Sequence, residues 1–152
     1  MITLRDSIEI QATPDKVYEW LVRRFNSKED YQAWHPEHVD ICWIKGDSLK
    51  EGSIVYAQEY LHGRLHKLKF RITKVIPNKE IEYRALFPLS LFSQGNAFIV
   101  EPRGKNSSIF TATGGLRAGP LFKKLAKNQI KATKQHMKEE GENLKRALET
   151  SE

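Results

Sequence analysis

The chain reads as an α+β domain, a curved antiparallel sheet wrapped around a long C-terminal helix, with two short helices after the first strand. Three observations give this reading. Apolar residues alternate with period two at the N-terminus and in most of six further stretches between residues 39 and 115. Two helix signals stand between the first and second of these stretches. The last part of the chain, 118–149, repeats its apolar residues at the helical period.

The elements follow in order. Residues 2–11 alternate through Ile2, Leu4, Ile8 and Ile10. Thr13-Pro14-Asp15 then opens a helix, with a capping hydroxyl, proline in the first turn and an acid near the positive end. Val17, Trp20, Leu21 and Phe25 form its inner stripe, and a second short helix is expected around 27–33. After the irregular Trp34-His35-Pro36-Glu37-His38 come strands at about 39–45, 53–62, 64–76, 79–87, 95–102 and 107–115. Gly52, His62-Gly63, Pro77-Asn78 and residues 103–106 mark the turns. Val55, Ala57, Glu59 and Leu61 share one face; Leu68, Phe70 and Ile72 share another. Phe87 to Phe92 is an apolar loop suited to cover a cavity mouth. Gly119-Pro120 opens the final helix, whose Leu121, Phe122, Leu125, Ile130, Met137, Leu144 and Leu148 fall on one half of the wheel.

Composition bounds the function. With 152 residues and 39% hydrophobic content the chain suits one domain with a sizeable core. No apolar run reaches the ~18 residues that span a bilayer, and the N-terminus lacks a signal-peptide stretch. A cytoplasmic location without membrane insertion is expected. Cys42 is the single cysteine, which excludes an internal disulfide and a thiolate zinc cluster. Its apolar setting, Ile41-Cys42-Trp43-Ile44, predicts a buried structural thiol. From Lys123 to Glu149, seven Lys and one Arg against four Glu supply +4 of the net +6. These lysines read as the solvated face of a helix. No aromatic-basic interleaving or Cys/His finger accompanies them, so no specific nucleic-acid partner is expected. The oligomeric state stays open between monomer and homodimer.

One pair of residues breaks the helix pattern. His136 and Glu140 lie one turn apart within the apolar half, where unpartnered polar groups are costly. A metal ion satisfies such a pair, and so does a simple helical hydrogen bond. Glu59 faces the same interior, with a tyrosine, Arg84 or Lys69 as its alternative partners. Two histidines of the 34–38 loop, His35 and His38, compete as a further ligand. His66 shares the face of Leu68 and is a candidate acid or base. Phe70, Tyr83, Gln129, Thr133 and Met137 are candidate cavity-lining, ligand-binding residues.

Two phrases carry a resemblance. Ile8 to Val17 at the entry to the first helix and Lys74 to Ile81 between two strands, with the long final helix, resemble the START-like (SRPBCC) helix-grip superfamily over essentially the whole chain. The resemblance implies an internal pocket between helix and sheet. More narrowly, Trp34-His35-Pro36-Glu37-His38 with His136-x-x-x-Glu140 resembles the zinc-dependent diacetylphloroglucinol hydrolases, which cleave a carbon–carbon bond in an acylated phenol. That likeness implies zinc held by His38, His136, Glu140 and, by its face, Glu59. The chain is shorter than those hydrolases, and their substrate-side tyrosines and histidine have no assigned counterparts here. Two functions follow as expectations. One is a metal-dependent hydrolase or lyase acting on a small acylated aromatic or polyketide-like ketone, with Glu59 and His66 as catalytic groups. The other is non-catalytic binding or transport of a lipid, quinone or other apolar ligand. A third, recruitment of an acidic partner by the basic helix face, would show as salt-dependent binding.

Overall fold

The computed structural model describes residues 2–117 and 119–150. Strand β1 (Ile2–Ile10) leads into helices α1 (Pro14–Arg23) and α2 (Lys28–Trp34). Strands β2 (His38–Lys45), β3 (Ile54–Leu61), β4 (Arg64–Ile76), β5 (Glu80–Ala85), β6 (Ser93–Arg103) and β7 (Ser107–Leu116) follow. Helices α3 (Pro120–Leu125) and α4 (Lys127–Thr150) end the chain. The seven strands form one antiparallel sheet in the order β1-β7-β6-β5-β4-β3-β2, so each successive strand from β2 to β7 is a neighbour and β1 closes on β7. His62 and Gly63 both take positive φ, the conformation of a tight primed hairpin turn between β3 and β4.

Local chemistry explains the short helices. Pro14 starts α1, but the Thr13 hydroxyl makes no cap bond to the helix; it serves the Asp15 carboxylate instead. Ser27 caps α2 by accepting from Asp30 N–H at 3.1 Å. Val17 and Leu21 of α1, Trp34 of α2, Ile10, Ile72, Ile81 and Phe110 of the sheet, and Leu144 of α4 are essentially sealed from solvent in one core. Helix α4 lies on the sheet chiefly against β1. Gly141 permits this approach, since a Cβ there would meet Ile8 Cγ2 at 3.3 Å.

Two sequence expectations are corrected. The final helix is not continuous. It breaks at Ala126, which leaves helical geometry at φ −95°, ψ 11°, and separates α3 from α4. Leu121, Phe122 and Leu125 on α3 stand largely in solvent and not against the sheet. Ala118, the first residue expected in that helix, lies outside the described residues. Cys42 is exposed, because β2 is an edge strand and Cys42 alternates away from the buried Ile41. Among the described residues no helix is long and apolar enough to cross a membrane.

Leu144→Ala removes a fully buried side chain where α4 meets the core. The expected loss is about 3 kcal/mol, read as a lower urea midpoint at unchanged slope.

Candidate metal centre

Between α4 and the sheet lies a cavity of about 300 Å³. Its walls are mainly apolar, with Val55, Leu68, Phe70, Ile72, Phe98 and Met137 among them. Polar groups gather where α2, β2, β3 and α4 meet. The β2–β3 register pairs His38 with Glu59, and the β3–β4 register pairs Glu59 with His66. Three chemically active residues thus stand in a row across three strands. His136 and Glu140 reach the same place from α4.

Three donor atoms converge, with Glu59 beside two of them. His38 Nε2 lies 2.9 Å from Glu140 Oε2 and 3.2 Å from His136 Nε2. His136 Nε2 and Glu140 Oε2 are 3.2 Å apart. Glu59 Oε2 stands 3.7 Å from His38 Nε2 and 3.9 Å from His136 Nε2. A tetrahedral zinc ion with bonds of ~2.0 Å needs donor-to-donor edges of about 3.3 Å. His38, His136 and Glu140 meet that spacing, and Glu59 is the looser fourth donor.

Outer partners fix which ring nitrogens carry protons. His38 Nδ1 is 2.9 Å from the Tyr31 carbonyl, which only accepts, so Nδ1 donates there and Nε2 faces the cluster. His136 Nδ1 donates to Glu37 Oε1 at 3.1 Å, so its Nε2 is likewise turned to the centre. The Tyr31 hydroxyl donates to Glu59 Oε2 at 2.7 Å, and the Tyr31 ring stacks on His38 at 3.9 Å. Trp34 Nε1–H donates to the Glu140 carbonyl at 3.0 Å, which pins α4 to α2. Two imidazole nitrogens and the Glu140 carboxylate meet at one buried point, where a proton on His136 or a metal ion satisfies them. The donor set fits a metal, and hydrogen-bonded outer partners of this kind orient metal-ligating histidines.

His35 is turned elsewhere. Its Nδ1 accepts from Glu37 N–H at 2.9 Å, which leaves Nε2–H to donate to Glu139 Oε1 at 2.9 Å. His35, Glu37 and His136 also lie close enough to share an ion, but hydrogen bonds already match their atoms as donor and acceptor. They form the outer layer of the His38–His136–Glu140 cluster. Of the remaining candidates, His66 lines the cavity with Nε2 3.1 Å from Gln129 Nε2. Phe70, Tyr83, Thr133 and Met137 line it too, and the Thr133 hydroxyl also donates to the Gln129 carbonyl. Tyr31 and Glu37 were not singled out from sequence. Glu37 lies inside the 34–38 phrase, whereas Tyr31 carried no signal beyond its place on a short helix.

Burial and charge shape the cluster without metal. Burial alone would lower the His136 pKa, but Glu140 first, then Glu59 and Glu37, outweigh it and raise it to about 10. Burial alone would raise the Glu140 pKa; the His136 charge and hydrogen bonds from both histidines hold it well below the ordinary range. Burial, reinforced by Glu140 and Glu59, keeps the Tyr83 phenol protonated.

The fold and this cluster define a class, a cavity-bearing helix-grip domain with polar chemistry at one end of an apolar pocket. The chain belongs to the polyketide cyclase/dehydrase and lipid transport family, whose model matches residues 1–149. It is similar to norcoclaurine synthase from Thalictrum flavum in complex with dopamine and hydroxybenzaldehyde, with TM-score 0.77 and 15% identity over 99% of this chain and 88% of that one. A second likeness is to the di-domain ARO/CYC BexL from the BE-7585A biosynthetic pathway (TM-score 0.72, 15% identity, 98% of this chain and 47% of that one). A third is to the Aha1 dimer from Colwellia psychrerythraea (TM-score 0.64, 21% identity, 100% and 99%). These likenesses establish the START-like helix-grip fold. No curated protein matches the chain in sequence.

The ionic pair predicts a pH profile for chelator-treated protein. The raised His136 pKa gives stability that is full below its ordinary 6.5 and is lost as pH rises through about 10. The lowered Glu140 pKa gives stability that is full above its ordinary 4.5 and is lost as pH falls through its folded value. Melting temperatures should form a plateau near neutrality that falls on both sides, and Glu140→Gln should flatten both limbs.

Proposed function

We propose that this protein is a zinc-dependent hydrolase or lyase for a small acylated aromatic or polyketide-like ketone. The supporting observation is the convergence of three donor atoms, with Glu59 beside them, in a buried cluster whose two imidazoles have Nδ1 engaged by outer partners. His38, His136 and Glu140 would hold the ion, with Glu59 as the exchangeable fourth ligand. Zinc at that place supplies Lewis acidity toward a ketone oxygen or a water molecule.

The chain's own residues supply the rest. The apolar walls hold the aromatic body and exclude water. The Tyr83 phenol, kept protonated by burial and the nearby carboxylates, donates a hydrogen bond to a substrate oxygen. In the hydrolytic version, the bond between acyl carbon and ring carbon breaks. The hydroxyl of water joins the acyl carbon, and a proton goes to the ring carbon. On this reading Glu59 accepts the water's proton and His66 delivers one to the ring, a pairing supported by their cross-strand register. A cavity of about 300 Å³ lies at the lower end of ligand-site volumes, which favours a small ring system over a long-chain lipid.

The predominantly apolar wall also supports a second reading, non-catalytic carriage of an apolar ligand. Metal content separates the two. Protein purified without a metal column should carry or take up one zinc per chain, and His136→Ala and Glu140→Ala should each abolish uptake while the fold persists. Glu37→Gln, which alters only the outer partner of His136, should weaken zinc binding about 10- to 100-fold. A chain that takes up no zinc, with an apolar molecule retained in native mass spectra, selects the carrier.

A further inference from the structure

Six large apolar side chains stand in solvent on two neighbouring segments. The loop after β5 carries Phe87, Leu91 and Phe92, and α3 carries Leu121, Phe122 and Leu125. Phe87, Leu121 and Leu125 are 77%, 72% and 77% exposed. The segments are tied together. The Phe92 and Phe122 rings stack at 5.5 Å, and Arg117 N–H donates to the Phe92 carbonyl at 2.6 Å. On α3, Leu121, Leu125 and Phe122 span about 100° of the wheel, with Lys124 on one flank and Lys123 on the other.

Charge selects the partner. Between Glu101 and Glu139 the sequence contains nine Lys and Arg and no acidic residue. Lys123, Lys124, Lys127, Lys131 and Lys134 are all exposed beside the apolar side chains or just beyond them along α4. A second copy of this face would bring like charges together, so the surface opposes self-association. Leucines projecting singly among lysines have no base edge or groove to fill on a nucleic acid. An anionic bilayer answers both features, accepting apolar side chains below a plane of negative headgroups. The same segments border the cavity, which Leu89 of the loop, Leu116 at the end of β7 and Gln129 at the start of α4 all line.

We propose that the 87–92 loop and α3 dock the protein peripherally on an anionic lipid surface, with the cavity rim against the membrane so that an apolar ligand exchanges without crossing water. The proposal stands independently of the metal centre. The probe is flotation of the full chain with phosphatidylcholine vesicles, with and without one-third phosphatidylglycerol, at low and high salt. Binding is expected only to the anionic vesicles, with release by high salt. The double variants Leu121→Ser/Leu125→Ser and Lys123→Glu/Lys124→Glu should each weaken vesicle binding about tenfold or more. Both should leave melting temperature and zinc uptake unchanged, since the replaced side chains are exposed. Absence of binding to anionic vesicles at low salt overturns the proposal, and so does binding by the variants equal to the parent chain. Conversion of a solution dimer to monomer by Leu121→Ser/Leu125→Ser, with vesicle binding unaltered, also overturns it and makes this face an interface between copies.

Discussion

A buried meeting of lone pairs governs this molecule. Two imidazole nitrogens and the Glu140 carboxylate meet at one place with Glu59 beside them, and charged or dipolar acceptors withdrawn from water repel strongly when nothing positive lies between them. A proton answers the problem partly, by making His136 an imidazolium against Glu140. It serves one edge of the cluster and leaves the His38 nitrogen and Glu59 facing each other at 3.7 Å. A divalent cation would answer the His38, His136 and Glu140 edges together. The surrounding bonds remove the easier escapes, since neither ring turns away without breaking the bond from Nδ1 to Tyr31 or Glu37.

The same forces that fold the chain set the cluster's geometry. His38, Glu59 and His66 are side by side because of strand register, and a slip of one residue would send Glu59 to the solvent face with Gln58 replacing it. That register is held by Val55, Ala57, Phe70 and Ile72, which must face the core. The helix donors depend on how closely α4 lies on the sheet. Gly141 permits the approach to β1, and the Trp34 bond to the Glu140 carbonyl fixes the helix along its axis. Packing and donor placement are therefore one constraint expressed by different atoms.

Much of this was legible in the sequence, for definite reasons. Strands with clean alternation, such as Lys67 to Thr73, declared both their extent and their buried face. His136 and Glu140 were conspicuous because polar residues interrupted an apolar helical stripe. Other features carried no local signal. Nothing in Leu125-Ala126-Lys127 breaks a helix by propensity, so the separation of α3 from α4 at Ala126 has no local signal in the sequence. Cys42 lies in a run with no alternation, and only its place on the edge strand decides its exposure. The choice between His35 and His38 as the residue facing His136 turned on backbone partners, the Glu37 N–H for one and the Tyr31 carbonyl for the other, which side-chain patterning does not report.

Helix α4 also orders the cavity along its length. Gln129, Thr133, His136 with Met137, and Glu140 succeed one another on its inner face before Leu144 closes the core. Eleven residues separate Gln129 from Glu140, about 16 Å at the helical rise. The donor cluster therefore lies at the deep end, beyond a wall that is mostly hydrocarbon, and the basic apolar rim lies at the shallow end. Along α4 the wall passes from Gln129 and Thr133, with His66 beside them, past Met137 to the ionic group at His136 and Glu140. Only a molecule with a polar group at its leading end gains from the whole depth, because an alkyl terminus would abut His38, Glu59 and Glu140 with nothing to offer them. Under the proposed function, those walls would suit a ring bearing a carbonyl better than a plain hydrocarbon chain.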